Sequence, residues 1–379
     1  MFTCGGRAYT PATVDIQGRR ERGRADLLRL CQTSSDPFAF YAEANRLIGR
    51  VVPFDLSCWH QLDPATLLPT SHYNEFGLSA PAGWAYNEYL VDDLNKFADL
   101  ALSDPPAATL SGATDGHPER SPRYRDLLTY EGFRDELRVA FVDTETCWGA
   151  ALFLREQARA DFTPADASFL AELSRPIAQA LRRSLLMLAL AAGEGDEAPG
   201  LLVLDSNGRI ESLTEPAARW IAQLVEVGAG EAEHVPASVA AVAAAARSEP
   251  GHRLAVPARA RAMTRGGRWL VLHGALLEGT ANGAVAVIIE PARSAEIAPL
   301  IVQAYGLTPR EREVAALVLQ GRSTSEIATR LCLSPYTVQD HLKAIFEKVG
   351  VRSRREMVGR FFTEHYQPSL VATGQLAAH

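Results

Sequence analysis

Near the C-terminus of the chain, Tyr336, Thr337, Gln339, Asp340 and Lys343 interleave with Val338, Leu342, Ile345 and Val349. The apolar residues recur at three- and four-residue steps, so on a helix they share an inward face and leave Tyr336, Gln339, Asp340, Lys343 and Glu347 outside. Lys343 suits guanine or a phosphate, Gln339 suits adenine, and Asp340 suits the amino group of cytosine. Each is an ordinary solvated side chain when taken alone, and its meaning comes from the frame that holds it.

Other candidates lie in the N-terminal half. Cys58-Trp59-His60 and His72 are soft donors of the kind that hold a transition metal or haem. Neighbouring strand residues point to opposite faces, so a structural or surface role is expected for these histidines and no metal site is expected. Trp59, Tyr73, Trp84 and Tyr86, with Tyr89 close by, suit either an aromatic-lined cavity for a small organic ligand or an ordinary core. No nucleophile, base and orienting residue stand in recognisable spacing, which argues against an enzyme. Neither a G-x-x-x-x-G-K-[ST] phosphate loop nor the pattern of a phosphorylated receiver occurs.

The elements that must position the polar stripe are signalled locally. Thr308, Pro309 and Glu311 combine a cap, a first-turn proline and a capping box, and Gly321 suits a left-handed end after Val314, Leu317 and Val318. Ser323 and Glu326 repeat the box for a second helix bearing Ile327 and Leu331. Cys332 and Leu333 then precede Ser334 and Pro335, which open the third helix. So short a turn forces the second and third helices to cross steeply, as in a helix-turn-helix. Ser353 and Glu356 form another box, for a fourth helix with Met357, Val358 and Phe361 as apolar contacts.

Residues 307–362 resemble the LuxR-type DNA-binding domain through L-T-x-R-E, the glycine after the first helix, I-A, S-x-x-T-V, H-L and S-R-x-E. The resemblance implies double-stranded DNA as partner, with Gln339, Asp340 and Lys343 in the major groove, Tyr336 alongside, Thr337 near phosphate and His341 at the helix packing surface. One departure is Cys332, where the family often has glycine; a left-handed cysteine costs about 1 kcal/mol. Another is the acidic pair Asp340 and Glu347, which weakens nonspecific attraction to phosphate and makes dimerisation matter more.

The chain has 379 residues, enough for two or three domains. Its net charge is -7, yet residues 305–366 carry ten Lys and Arg against seven Asp and Glu, so the basic excess is C-terminal. No apolar run reaches the ~20 residues of a membrane span. Charges at Arg7, Asp15, Arg19, Arg20 and Glu21 replace the apolar core of a signal peptide, and a cytoplasmic protein is expected. The five cysteines are scattered, with no C-x-x-C pair, and read as reduced thiols.

The expected fold class is multidomain α+β: two small α+β sensor domains followed by an all-α four-helix helix-turn-helix domain. Residues 1–24 read as a mobile arm. Residues 25–192 are read as a GAF-like sensor domain, because residues 147–191 resemble the C-terminal half of a GAF domain on Cys147-Trp148-Gly149-Ala150-Ala151-Leu152 and Phe162-Thr163-Pro164. Strands are expected at 55–61, 67–73, 136–143 and 147–155, a surface loop at 103–122, and a helix at 164–191. A linker at 193–199 leads to residues 200–292, which resemble a PAS domain on Leu201-Leu202-Val203-Leu204-Asp205 and Gly208-Arg209-Ile210. Helices are expected there at 216–224 and 237–247, and strands at 268–277 and 283–290. The helix-turn-helix domain spans 300–366, and 367–379 is a tail.

On the helix at 164–191, Leu170, Leu173, Ile177, Leu181, Leu185 and Leu188 form one stripe, whose end beyond Arg182-Arg183 is expected to pair two copies into a homodimer. The function expected is a sequence-specific transcription regulator responding to a small-molecule ligand or other signal, with RNA polymerase a further candidate partner and any cofactor unassigned. The alternative is a constitutive regulator whose N-terminal domains only dimerise or bind a protein.

Overall fold

Strand β1 (Leu56–Leu62) buries Leu56, Cys58 and Leu62 in one apolar cluster and Trp59 in another, because successive side chains leave a strand on opposite sides. Strands β2 (Pro69–Asn74), β4 (Phe133–Asp143) and β5 (Thr146–Glu156) are also buried along most of their length, the pattern of a sheet covered on both faces. The structure is a computed structural model that describes residues 11–34, 37–74, 81–144, 146–191, 198–224, 226–227, 235–248, 257–277, 283–293, 296–297, 300 and 303–365. Among these, the sheet has six strands in the order β3-β4-β5-β1-β2-β8, with β3 at Ala107–Thr109 and β8 at Glu226–Val227. Pairing is antiparallel except between β2 and β8, where His72 and Tyr73 lie in parallel register with Glu226 and Val227.

Helices α1 (Pro11–Thr33), α2 (Pro37–Gly49) and α6 (Pro164–Ala191) cover one face of this sheet, and α3 (Pro81–Leu90), α4 (Phe97–Leu100) and α5 (Leu110–Ala113) lie on the other. Asn45 of α2 accepts hydrogen bonds from Ser57 Oγ at 2.8 Å and Trp59 Nε1 at 2.7 Å. Gln61 Nε2 donates to Leu181 O at 3.1 Å, so β1 is pinned to two helices.

Three expectations are corrected here. Residues 11–24 of the supposed mobile arm belong to α1, which buries Gly23, Leu27 and Cys31 and pairs Arg20 with Asp166 at 2.8 Å. Its inward stripe contains a glycine and a cysteine, so it shows almost no apolar period; a Cβ on Gly23 would come within 2.4 Å of Val51 Cγ2. The surface loop placed at 103–122 holds β3 and α5, elements too short for periodicity to register, with Thr109 Oγ1 accepting from Gly112 N at 3.0 Å to cap α5. Leu185, placed in the dimer stripe, is fully buried within its own chain. The side chain of Leu188, residues 1–10, most of the linker at 193–199 and the tail at 367–379 lie outside the described residues.

A second unit follows, with β6 (Gly200–Leu204), β7 (Ile210–Leu213), α7 (Glu215–Gln223), α8 (Ala237–Arg247), β9 (Arg259–Met263), β10 (Trp269–Leu276) and β11 (Val285–Pro291). Its antiparallel sheet runs β7-β6-β11-β10-β9. Strand β9 was not foreseen: it alternates Arg259 and Arg261 with buried Ala260 and Ala262, too small to stand out as an apolar period. The two units are in direct contact. Strand β8 extends the first sheet, and Arg261 Nε and Nη2 donate to the two carboxylate oxygens of Asp63 at 2.6 and 2.9 Å.

Helix α8 packs on β10 of its own unit and on α3 and β2 of the other, and Ser238 through Ala245 are all buried. Little but alanine and valine fits between layers this close. Gly274 on β10 shows how close: a Cβ there would come within 2.8 Å of Val242 Cγ1 and 2.9 Å of Val242 O.

Among the described residues from 309 onward, four helices follow one another: α9 (Pro309–Leu319), α10 (Thr324–Leu331), α11 (Pro335–Val349) and α12 (Arg354–His365). No helix among the described residues is long and apolar enough to cross a membrane.

Gly274→Ala is expected to destabilise the chain by roughly 1–3 kcal/mol, the usual cost of overpacking a filled core. Thermal unfolding followed by circular dichroism checks this, and an unchanged midpoint would show that α8 shifts freely between the two units.

Candidate nucleic-acid interface and a buried cavity

Thr308 and Glu311 form the expected reciprocal box at the start of α9, with Thr308 N donating to Glu311 Oε2 at 2.8 Å and Glu311 N to Thr308 Oγ1 at 3.3 Å. Ser323 and Glu326 do the same for α10 at 2.7 and 3.3 Å. Cys332 ends α10 with φ 53° and ψ 45°, the left-handed conformation that turns the chain into α11. Ser334 Oγ accepts from Thr337 N at 3.1 Å and so caps the first turn of α11. At α12 the box is only half made. Glu356 N donates to Ser353 Oγ at 3.1 Å, while the Glu356 carboxylate accepts from Arg352 N at 2.8 Å.

The inward residues Val338, Leu342, Ile345 and Val349 are buried, and Gln339, Asp340, Lys343 and Glu347 are exposed on the opposite side of α11. Tyr336 is 83% exposed, and Thr337 and His341 are half-buried. The stripe is held from behind by Lys348, whose Nζ donates to Glu311 Oε2 at 2.6 Å and ties α11 to the cap of α9. Burial alone would raise the Glu311 carboxyl. The Lys348 bond and the Thr308 cap outweigh it and hold the group below its ordinary value.

The helical domain is seated on the first unit. Tyr305 and Leu307 are buried, and Leu307, Thr308, Pro309 and Arg312 border a cleft whose other wall is Asp143, Thr144, Thr146, Trp148 and Arg182. Arg182 Nη1 pairs with Asp143 at 2.9 Å. Gly306, at φ 68°, passes so near this guanidinium that a Cβ would meet Arg182 Nη1 at 2.5 Å.

A cavity of about 70 Å³ lies on the other face of the first sheet, between Cys58, His60, His72, Trp84, Phe97 and Arg138, and is closed by Ala237 and Ala241 of α8. At ~10–15 Å³ per water it has room for a few waters or one small molecule. Of the five aromatic residues picked from the sequence, Trp84 and Tyr89 reach its wall. Trp59 stacks on Phe141 at 5.3 Å and Tyr73 packs on Tyr41 at 5.7 Å, both across the sheet, and Tyr86 is 54% exposed.

The polar end of the cavity escaped the sequence reading. Arg138 donates to Glu88 Oε2 at 2.8 Å and Glu136 Oε1 at 3.0 Å and lies 4.3 Å over the Phe97 ring; Arg123 meets the other Glu136 oxygen at 2.8 Å. Burial tends to raise the Glu88 carboxyl, but Arg138, Lys96 and Arg123 hold it below the ordinary value. Cys58 and His60 also line the cavity. The expectation that they diverge is corrected, because only the intervening Trp59 faces the other way. Register then places His72 opposite His60, with Cys58 Sγ 2.9 Å from His72 Nε2 and 3.3 Å from His60 Nε2.

Comparison with known proteins bears on the helical domain. A family model described as bacterial regulatory proteins, luxR family, matches residues 306–361. The chain is 50% identical over 52 residues to an HTH-type transcriptional regulator of Mycobacterium bovis, covering 14% of this chain and 6% of that protein. It is 44% identical over 52 residues to the spore germination protein GerE of Bacillus subtilis, covering 14% of this chain and 70% of that one. The chain therefore spans a small part of the mycobacterial relative and most of the length of GerE. Among solved structures, SdiA in complex with octanoyl-rac-glycerol aligns with 91% of this chain and 94% of its own at 14% identity, with a TM-score of 0.33, below the level of a shared fold.

Cys332→Gly is expected to stabilise the helical domain by about 1 kcal/mol, because glycine adopts the left-handed conformation without the steric cost. A higher thermal midpoint with unchanged circular dichroism at the starting temperature checks it; a lower midpoint would show that the Cys332 side chain contributes more than its backbone costs.

Proposed function

The chain belongs to the luxR family of bacterial regulatory proteins, and from that premise we propose that it is a sequence-specific DNA-binding transcription regulator, acting in the cytoplasm, whose N-terminal units govern the DNA-binding domain. The observation that carries the reading is the outer stripe of α11. Gln339, Asp340 and Lys343 stand exposed on a helix whose start is capped and whose far end is bonded to α9, so a rigid scaffold presents them to a groove. In this reading Gln339, Asp340 and Lys343 meet base edges in the major groove, and Tyr336 and Thr337 lie by the phosphates. Two chains bind as a homodimer, and RNA polymerase is the partner through which transcription responds.

The N-terminal units are read as GAF-like and PAS-like sensors of a small ligand. A cavity bounded by β1, β2 and β4 and roofed by α8 of the second unit supports this, since an occupant would press on both units at once. The seating of Gly306 against Arg182 supports a mechanical route onward, for Asp143, which pairs with Arg182, ends β4, the same strand that carries Arg138 at the cavity wall. A ligand acts through such a route only by its difference in affinity between two arrangements.

Lys343→Ala tests the base-reading role. Duplexes enriched from a random pool by the full chain and unrelated duplexes are compared across salt concentrations. A base contact predicts a loss of roughly 1–3 kcal/mol on the enriched duplex alone. Equal weakening of both, with the salt slope reduced by about one, would make Lys343 a phosphate contact; no DNA binding by the unmodified chain would overturn the function itself.

A further inference from the structure

We propose that Cys58, His60 and His72 bind one thiophilic divalent ion of the zinc type, leaving its fourth position open to the cavity. The assignment deepens the sensory reading of that cavity and rests on it only for its consequence at DNA.

The argument begins with the strand pair. Cys58 and His60 are two residues apart on β1 and share a face, and His72 is the cross-strand partner of His60 on β2. The donor atoms of all three lie within 4.8 Å of one another. In a tetrahedral site with Zn–S near 2.3 Å and Zn–N near 2.0–2.1 Å, sulfur and nitrogen stand about 3.6 Å apart. The distances of 2.9 and 3.3 Å in the structure need to open by about 0.7 and 0.3 Å to reach that separation, and the imidazoles, stacked with centroids 4.9 Å apart, sit on side chains that can turn.

One thiolate and two imidazoles form a borderline-soft donor set that suits zinc and disfavours the hard ions magnesium and calcium. His60 Nδ1 is buried and has no hydrogen-bond partner among the described residues. Binding forms the metal–sulfur bond and releases the thiol proton to solvent. Three protein ligands leave a tetrahedral ion one position short. Trp84, Phe97 and Arg138 enclose the space next to the histidines, where a water or small anion would complete the shell.

The test uses the full chain, reduced and stripped with a chelator, then titrated with Co(II) as the spectroscopic substitute for Zn(II). The expected result is a thiolate-to-cobalt charge-transfer band with the visible bands of four-coordinate cobalt, saturating at one equivalent and displaced by Zn(II). Cys58→Ser and His72→Gln should each weaken binding by at least about tenfold, the loss typical even of a removed outer-shell partner. Cys332→Ser removes the exposed thiol of the helical domain and should leave the band unchanged. Circular dichroism of each variant separates a lost ligand from a lost fold, and His60→Gln repeats the test if either variant unfolds. No charge-transfer band in the unmodified chain, or a band that persists in folded Cys58→Ser, would overturn the site. DNA binding is measured separately with and without Zn(II), so failure of the metal site and failure of the regulatory reading remain distinct.

Discussion

The first sheet has apolar side chains on both sides, with Trp59, Phe141 and Phe153 on one and Leu56, Leu152 and Leu154 on the other. Both faces must be covered, and the rest of the arrangement follows from how this is done. Helices α1, α2 and α6 cover the first face. On the second, α3 to α5 leave a space over Cys58 and Leu62, and its far wall is α8, which belongs to the next unit. The same helix thus finishes the core of one unit and closes a chamber in the other. Its run of small residues satisfies both demands, because a larger side chain would fill the chamber or separate the layers.

The chamber also needs its polar end reconciled with an apolar interior. Arg138 faces the cavity from β4, and an isolated guanidinium there would be costly to bury. Glu88 from α3 and Glu136 from β4 take up its donors, and Arg123 satisfies the remaining Glu136 oxygen. That arrangement fixes α3 against the sheet. The joint at Gly306 works by different means. There the backbone itself approaches a guanidinium already held by Asp143, and only a residue with no side chain leaves room.

What could be read in advance was whatever is encoded over a few residues. The caps at Thr308, Ser323 and Ser334 each depend on neighbours three residues away, and the tight turn at Cys332 depends on two, so the helical domain was legible almost residue by residue. Long strands such as β4 and β5 were legible from their apolar content. The misses share a physical cause. In α1 the inward positions include Gly23 and Cys31 beside Leu27, and in β9 they include Ala260 and Ala262, small residues that leave little hydrophobic signal. The cavity depended on register: Cys58 and His60 were visible as neighbours but misjudged because the partner strand, which brings His72 against them, is a relation between segments. Trp59 and Tyr73 were chosen for their size, and size sent them to the core.

The parallel pairing of β2 with β8 has a consequence for how the chain is made. Residue 72 emerges from the ribosome long before residue 226, and until then β2 presents an open edge of unpaired amide and carbonyl groups. At ~5–20 residues per second, the interval is on the order of ten to thirty seconds. During that time the nascent first unit lacks both its sixth strand and the roof of its chamber, so translation speed through the second unit sets how long a chaperone, or an identical chain on the same message, has access to that edge.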